Sequence, residues 1–294
     1  MIRGTLLAAL SGILFGFLGF LGMRLLDMNF SIENMLFWRF FIAFLFILIL
    51  LRPFKRKLVF NLGKNTSLIK TLILGAFCYS GSSSFYFLAS EYIGTGPSMV
   101  IFYLFPVFIM LFAWLFDKVK PGKYTIFSLA AVLIGLVLLH KQQDGTLDII
   151  GIILAVISAV FYAVFVYSSK DQSKGIDAQL LTFLVCIGNM LTFLVWSLIT
   201  NTLFIPTSLT AWFYIIALGI VATALPIRLF LISLKYITPV KASLLSVLEP
   251  IVTVIIGCLL LAEIISPLQF MGIIVILLGA ILIQFEAQTS TTTD

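Results

Sequence analysis

Residues 235–269 read KYITPVKASLLSVLEPIVTVIIGCLLLAEIISPLQ and contain about two dozen nearly uninterrupted apolar or small residues. At about 1.5 Å per residue, a helix of that length crosses a bilayer. Thr238 is a suitable N-cap, and Pro239 suits the first helical position, where a missing N–H costs nothing. Glu249 lies near the middle of the run, directly before Pro250. An ionisable group at that depth is costly, so it requires a position facing the protein interior.

The composition of the whole chain is that of an integral membrane protein. Of its 294 residues, 62% are hydrophobic and 10% are charged, against roughly 45–50% and 25% in soluble domains. The apolar runs are continuous and do not alternate, which indicates helices and excludes a barrel. No small-residue cleavage site follows the first run, so we expect it to be a retained span and not a signal peptide.

Ten apolar segments follow one another with short connections, and no extramembrane domain is expected. They cover approximately residues 4–22, 35–51, 69–90, 97–116, 123–139, 148–168, 179–199, 210–233, 239–261 and 267–284. We therefore predict an all-α membrane protein of ten transmembrane helices, followed by a polar tail at 287–294.

Lys and Arg are distributed unequally between the two faces of this arrangement. One face receives 14 of the 18 basic residues and the other receives two. The positive-inside rule then predicts a multi-pass membrane protein with both termini in the cytoplasm. The net charge of +6 is explained by these loops, so no nucleic-acid partner is expected.

The chain also repeats itself. A shift of 144 residues superimposes the apolar runs and aligns four identical pairs, which are Tyr92 with Tyr236, Pro106 with Pro250, Gly75 with Gly219, and Gly135 with Gly279. We predict two five-helix repeats, at 1–144 and 145–286. Because five is odd, the second repeat enters the membrane from the opposite side, which gives the inverted repeats typical of transporters.

With these features, the sequence resembles the drug/metabolite transporter superfamily, specifically its ten-helix EamA-type members. The resemblance covers nearly the whole chain, and its most specific part is TALP at 223–226 followed by residues 235–283. A weaker copy, FLASEYIGTGPSMVIFYLFPVF at 87–108, has Phe105 where the second half has Glu249. The resemblance implies export or exchange of small metabolites, often amino acids or related compounds, across the inner (cytoplasmic) membrane. Arg228 departs from the pattern, which favours an uncharged, often aromatic residue there.

Polar side chains inside the segments are the candidate site residues, because a polar stripe in lipid should face inward. They line an aqueous cavity in one interpretation and hydrogen-bond neighbouring helices in the other. The candidates for the substrate cavity are Tyr79, Ser83, Tyr86, Tyr103, Tyr162, Arg228, Ser246 and Glu249.

Two arginines within the segments leave alternatives open. Arg39 is about one turn inside its segment, and we expect it to snorkel to the interface. Arg228 is about 8 Å from its segment's end, where it either snorkels or binds an anionic group such as a substrate carboxylate. Ala8, Gly12 and Gly16 form a small-residue face in the first segment, which predicts close helix packing.

The sequence favours a secondary transporter that works by alternating access, and not an enzyme. It has one histidine, no cluster with metal-ligand spacing and no Gly-rich phosphate loop, so we expect neither metal nor cofactor. A membrane-embedded transferase would normally need paired carboxylates, a metal or a Ser/His arrangement.

The expected partners of this transporter are the lipid bilayer and a small polar substrate. An amino acid or related compound is favoured, and an S-adenosylmethionine-type or other nucleotide-like metabolite is the alternative. Protons or a counter-substrate are the candidate coupling partners. Either Glu249 takes up a proton and releases it when an ammonium-bearing substrate binds, or it stays protonated and serves structure only.

Overall fold

The chain folds into ten apolar helical segments, α1–α10, and the predicted all-α membrane fold is confirmed in the computed structural model. The structure describes residues 2–51, 66–139, 148–261 and 266–285, and it contains no strand in these ranges. His140, Glu263 and the polar tail lie outside the described residues. The first five segments are α1 (Ile2–Phe15 and Phe17–Leu26), α2 (Ile32–Leu51), α3 (Thr66–Ile73, Leu74–Tyr79 and Ser80–Ile93), α4 (Thr95–Phe102 and Phe105–Asp117) and α5 (Lys123–Leu139).

The last five segments complete the bundle. They are α6 (Ile149–Gly175), α7 (Ala178–Ile199), α8 (Leu209–Gly219, Ile220–Ala224 and Leu225–Ser233), α9 (Pro239–Ser246 and Leu248–Leu261) and α10 (Pro267–Leu282). Eight of them are long and apolar enough to cross a membrane, whereas α5 and α10 are shorter apolar helices. An even number of crossings puts both chain ends on one side, here named the terminal face, and the other side is the opposite face.

Helix starts follow their local capping signals. Thr238 caps α9 as predicted, since its hydroxyl accepts the backbone N–H of Lys241 at 3.3 Å, and Pro239 begins the helix. At α10, Ser266 and Gln269 form a reciprocal capping box. These caps satisfy N–H groups that would otherwise lack partners at the membrane boundary.

The two halves pack on each other with approximate two-fold symmetry. Helix α1 packs on α8 as α6 packs on α3, while α2 pairs with α7 and α5 pairs with α10. The correspondence holds for individual residues. Gly135 lies against the backbone of Gly272, and its counterpart Gly279 lies against the backbone of Ser128, which is the counterpart of Gly272 at the 144-residue offset. Two inverted five-helix repeats therefore describe the fold.

Four helices are interrupted at corresponding positions. Helix α4 is broken after Phe102 and α9 after Ser246, directly ahead of Pro106 and Pro250. Helices α3 and α8 contain π-helical turns at Leu74–Tyr79 and Ile220–Ala224. Pro106 and Pro250 account for the interruptions of α4 and α9, because proline lacks a backbone N–H, whereas the π-helical turns contain no proline.

Helix α1 approaches α9 very closely through the small-residue face predicted for it. A Cβ on Gly12 would lie 2.8 Å from the carbonyl oxygen of Ser246, and one on Gly16 would lie 2.5 Å from Val252. Ala8 is fully buried on the same face. The predicted close packing is confirmed, and it brings α1 against the break in α9.

Candidate functional site

A narrow cavity of about 90 Å³ lies at the centre of the bundle, between α1, α2, α3, α4, α6 and α9. The breaks in α4 and α9 lie beside this cavity. The cavity brings together seven of the eight candidates from the sequence, which are Tyr79, Ser83, Tyr86, Tyr103, Tyr162, Ser246 and Glu249. Their shared location is a fact of the structure, and their role in binding stays a prediction.

The breaks in α4 and α9 place two of these groups side by side. Tyr103 lies in the break of α4, and Glu249 is the second residue after the break of α9. The Tyr103 side chain is 1% exposed, and its hydroxyl makes no hydrogen bond of ordinary geometry with the described residues. It nevertheless lies within electrostatic reach of the Glu249 carboxyl. The hydroxyl and the carboxyl can both form hydrogen bonds with a further polar group in the cavity.

Aromatic rings form most of the remaining wall. Tyr162 of α6 contacts Tyr79 at 5.8 Å and Phe105 at 4.8 Å between ring centroids, while Tyr86 contacts Phe102 at 5.7 Å. These mutual contacts restrict the orientation of the rings. The resulting wall is apolar, carries tyrosine hydroxyls and can bind both an apolar side chain and a cation.

Arg39 is the cavity residue that the sequence analysis placed wrongly. It does not snorkel to the interface, because its side chain is 4% exposed and lines the cavity. Its Nε donates a 2.7 Å hydrogen bond to the Thr223 hydroxyl, and its guanidinium lies 4.9 Å from the Phe40 ring centroid. The reason is the start of α2 at Ile32. This puts Arg39 about 10 Å into the helix at 1.5 Å per residue.

Arg39 and Glu249 supply opposite charges without forming an ion pair. Among the described residues, no acidic oxygen lies within 4.0 Å of the Arg39 guanidinium. The two groups still interact electrostatically across the cavity. A buried charge without a partner in contact is costly, so both groups favour the arrival of a compound that carries the complementary charges.

Arg228, the eighth candidate, lines neither of the two cavities found at the centre. Its Nε is buried without a hydrogen-bond partner among the described residues. The prediction considered the depth of Arg228 but not its face. Thr223 of the same helix points to Arg39, and five further residues turn the helix by about 500°, or 140° net, away from that direction.

Some polar residues of α3 hold helices together instead of lining the site. Ser158 of α6 donates to the carbonyl of Ser82 at 2.7 Å, and the two hydroxyls are 3.3 Å apart. Both interpretations of the polar stripe therefore apply, each to a different part of it. Nothing resembling a metal site accompanies them, since the described part of the chain holds no group of three His, Cys, Asp or Glu side chains.

A wide cavity of about 640 Å³ continues from the narrow one and shares Arg39, Tyr86 and Glu249 with it. Arg24, Asp27, Glu91 and Gln269 also line it, near the ends of their helices. All four lie at the opposite face. The centre of the bundle is therefore reached from the face opposite the chain ends.

Comparisons with known proteins agree with this architecture. The profile of the EamA-like transporter family matches residues 2–140 and 149–285, one match for each repeat. An uncharacterized transporter of Archaeoglobus fulgidus is 26% identical over 67% of this chain and 70% of its own. The uncharacterized transporter YwfM of Bacillus subtilis is 24% identical over 76% of each chain. A crystal structure matches with a TM-score of 0.76 and 17% identity over 95% of both chains, which shows the shared fold.

Proposed function

Because the chain belongs to the EamA-like transporter family, we propose that it moves a small zwitterionic metabolite, an amino acid or a related compound, by alternating access. The observation that supports this substrate class is the pair of unmatched charges in one cavity. Arg39 suits a carboxylate and Glu249 suits an ammonium group, and the two are not paired with each other. A zwitterion would satisfy both charges at once.

The aromatic wall supports the same class. Four tyrosines line the narrow cavity, and a tyrosine ring stabilises an adjacent ammonium by a cation–π interaction of about 0.5–2 kcal/mol. The rings also offer apolar contact to the rest of the substrate. A base-containing metabolite of the S-adenosylmethionine type is the second candidate, since the rings around Tyr162 could stack a flat heterocycle.

Alternating access is supported by the combination of symmetry and one-sided opening. The halves are inverted copies, but the wide cavity opens toward the opposite face in the part of the chain that the structure describes. An exchange of conformations between the two halves would close that face and open the terminal face. We assign the terminal face to the cytoplasm and the protein to the inner membrane, because the basic loops lie on that side. Fusing alkaline phosphatase or a fluorescent protein to the C-terminus tests the assignment, which phosphatase activity without fluorescence would overturn.

The experiment that tests the substrate class is counterflow in proteoliposomes with amino acids, their decarboxylated amines and S-adenosylmethionine. We expect amino acids to exchange in the wild type. Arg39→Gln should no longer prefer an amino acid to the amine that lacks its carboxylate. Glu249→Gln should no longer prefer compounds that carry an ammonium group. Arg228→Gln, outside both cavities, is the matched control and should behave as the wild type. If both cavity variants keep wild-type selectivity, the proposed binding mode is wrong.

A further inference from the structure

Thr223 lies outside both cavities and holds Arg39, which lines them. Its side chain is fully buried and lines neither cavity. Its hydroxyl donates to the carbonyl of Leu218 at 2.8 Å and accepts from Arg39 Nε at 2.7 Å. A threonine hydroxyl has one proton and two lone pairs. Since Leu218 takes the proton, a lone pair is directed at Arg39, and the polarity of the contact is fixed.

The π-helical turn of α8 explains why this hydroxyl reaches Arg39. Thr223 lies within Ile220–Ala224 and bonds the carbonyl five residues earlier. Other helical threonines bond the carbonyl four residues earlier, as Thr182, Thr192 and Thr253 do. The wider turn therefore changes where the side chain of Thr223 points. π-helical turns are frequently found at functional sites.

The bond at Nε leaves the terminal amino groups of the guanidinium on the cavity side, where the Tyr79 hydroxyl also interacts with them. A guanidinium is planar and has five N–H donors in a fixed arrangement. Holding Nε from one side restricts the rotation of that plane, while Arg39 also lines both cavities. No described acidic side chain takes up the remaining donors within 4.0 Å.

We propose that Thr223 is a positioning residue, which orients Arg39 so that its cavity-facing donors, beside the Tyr79 hydroxyl, bind the carboxylate of the transported compound. The inference rests on the proposed function, because it takes Arg39 as the carboxylate anchor. It also links the site to α8, since the hydroxyl that holds Arg39 belongs to that helix's π-helical turn.

The test compares Thr223→Val, which removes the acceptor at nearly constant volume, with Thr223→Ser, which keeps it. Thr192→Val is the matched control. Thr192 also lines neither cavity, and its hydroxyl donates to Ala76 in the π-helical turn of α3 at 2.8 Å. The three variants and the wild type are purified in detergent, and their melting temperatures are recorded so that general destabilisation is visible.

The first measurement is the affinity for L-phenylalanine and for 2-phenylethylamine, which lacks only the carboxylate. Thr223→Val should weaken L-phenylalanine binding about tenfold and change amine binding less than about twofold, as expected for a charge-assisted hydrogen bond. Thr223→Ser should restore the affinity, and Thr192→Val should change neither. Equal weakening for both probes in Thr223→Val would overturn the proposal.

The second measurement does not depend on the substrate class. Phenylglyoxal modifies guanidinium groups, and peptide mass spectrometry reports its rate at Arg39 and at Arg228 separately. Thr223→Val should raise the rate at Arg39 several-fold and leave Arg228 unchanged. An unchanged or lower rate at Arg39 would refute the positioning role. A wild type that binds neither probe would instead contradict the proposed substrate class, with the modification rate still deciding the role of Thr223.

Discussion

Glu249 is the one acidic side chain among the described residues that line the narrow cavity. It faces the Tyr103 hydroxyl and lies within electrostatic reach of Arg39. A carboxyl in this position can exchange a proton for the ammonium group of a substrate. We therefore expect Glu249→Gln to abolish uptake driven by a pH gradient, because the amide keeps the shape of the acid but cannot titrate.

The measurement is uptake into proteoliposomes with and without an imposed pH gradient. The matched control is Glu91→Gln, which removes a carboxyl near the mouth of the wide cavity and should still respond to the gradient. If a pH gradient drives uptake by Glu249→Gln as well as uptake by the wild type, Glu249 has only a structural role and the coupling hypothesis is wrong.

Tyr103→Phe should affect the stability of the protein and its affinity for substrate in different ways. The buried hydroxyl of Tyr103 makes no hydrogen bond of ordinary geometry with the described residues, and an unsatisfied buried hydroxyl costs about 1–3 kcal/mol. Tyr103→Phe should therefore leave the melting temperature unchanged or raise it, while weakening substrate binding several-fold. Tyr214 lines neither cavity, so the control variant Tyr214→Phe should leave substrate binding unchanged. A Tyr103→Phe protein with full affinity would show that the hydroxyl does not contact the substrate.

Residue types and spacing located most of the cavity but misjudged both arginines. Tyr79, Ser83 and Tyr86 could be predicted because polar groups at helical spacing inside an apolar segment face inward. Arg39 was missed because α2 begins three residues before the predicted boundary, and one further turn converts an interfacial position into a buried one. Arg228 was included among the cavity candidates because of its depth in α8. Depth along a helix does not define which face of the helix a residue occupies.

At the scale of elements, the helix interruptions decide where the side chains of the site lie. A proline within an apolar run predicts a break because it lacks an N–H donor, and Pro106 and Pro250 mark the breaks of α4 and α9. The π-helical turns have no such local signal. Gly75 lies within the first turn and Gly219 directly before the second, and each packs against a helix of the other half. Tertiary contact and not residue type therefore identifies these turns.

The contact of α1 with the break of α9 gives a stability prediction. In Gly12→Ala the new methyl would lie 2.8 Å from the Ser246 carbonyl oxygen, so backbone must move. We expect a loss of about 1–3 kcal/mol, typical of overpacking. Gly19→Ala is the matched control, since its methyl meets Thr253 at an ordinary 3.5 Å and helix propensity favours the change by about 1 kcal/mol.

The measurement is thermal unfolding of the purified proteins in detergent. Gly12→Ala should melt below the wild type, and Gly19→Ala should melt at or above it. Equal melting temperatures for the two variants would mean that α1 is not tightly held against α9, and that this contact moves freely.

At the scale of the whole molecule, the two halves are alike in fold but differ in one contact region. The first half of α9 packs on α1, α4, α5 and α6 and closes the terminal face. Its counterpart, the first half of α4, packs on α3, α5 and α6, with no more than marginal contact to α1, α9 or α10 within the described chain. The wide cavity occupies that gap. Exchanging the two arrangements converts a protein open at the opposite face into one open at the terminal face.

This exchange predicts which cysteine pairs form disulfides in each state. Val100 and Val254 both line the wide cavity, so the pair Val100→Cys and Val254→Cys should cross-link only when the opposite face closes. The counterparts at 144 positions are Leu244 and Met110, on helix halves that are in contact in this structure. Cysteines there should cross-link at rest. Cys78, Cys186 and Cys258 are replaced in both backgrounds, because they carry free thiols.

The two pairs should respond to substrate in opposite directions, because closing one face requires opening the other. Adding a transported compound should accelerate oxidation of the Val100–Val254 pair and slow that of the Met110–Leu244 pair, as followed by the shift in gel mobility. Locking either pair should stop counterflow, and reduction should restore it. The comparison is internally controlled, since both pairs carry the same number of substitutions at symmetry-related sites. Two pairs that cross-link at equal rates, with and without substrate, would show that the cavity does not alternate between the faces.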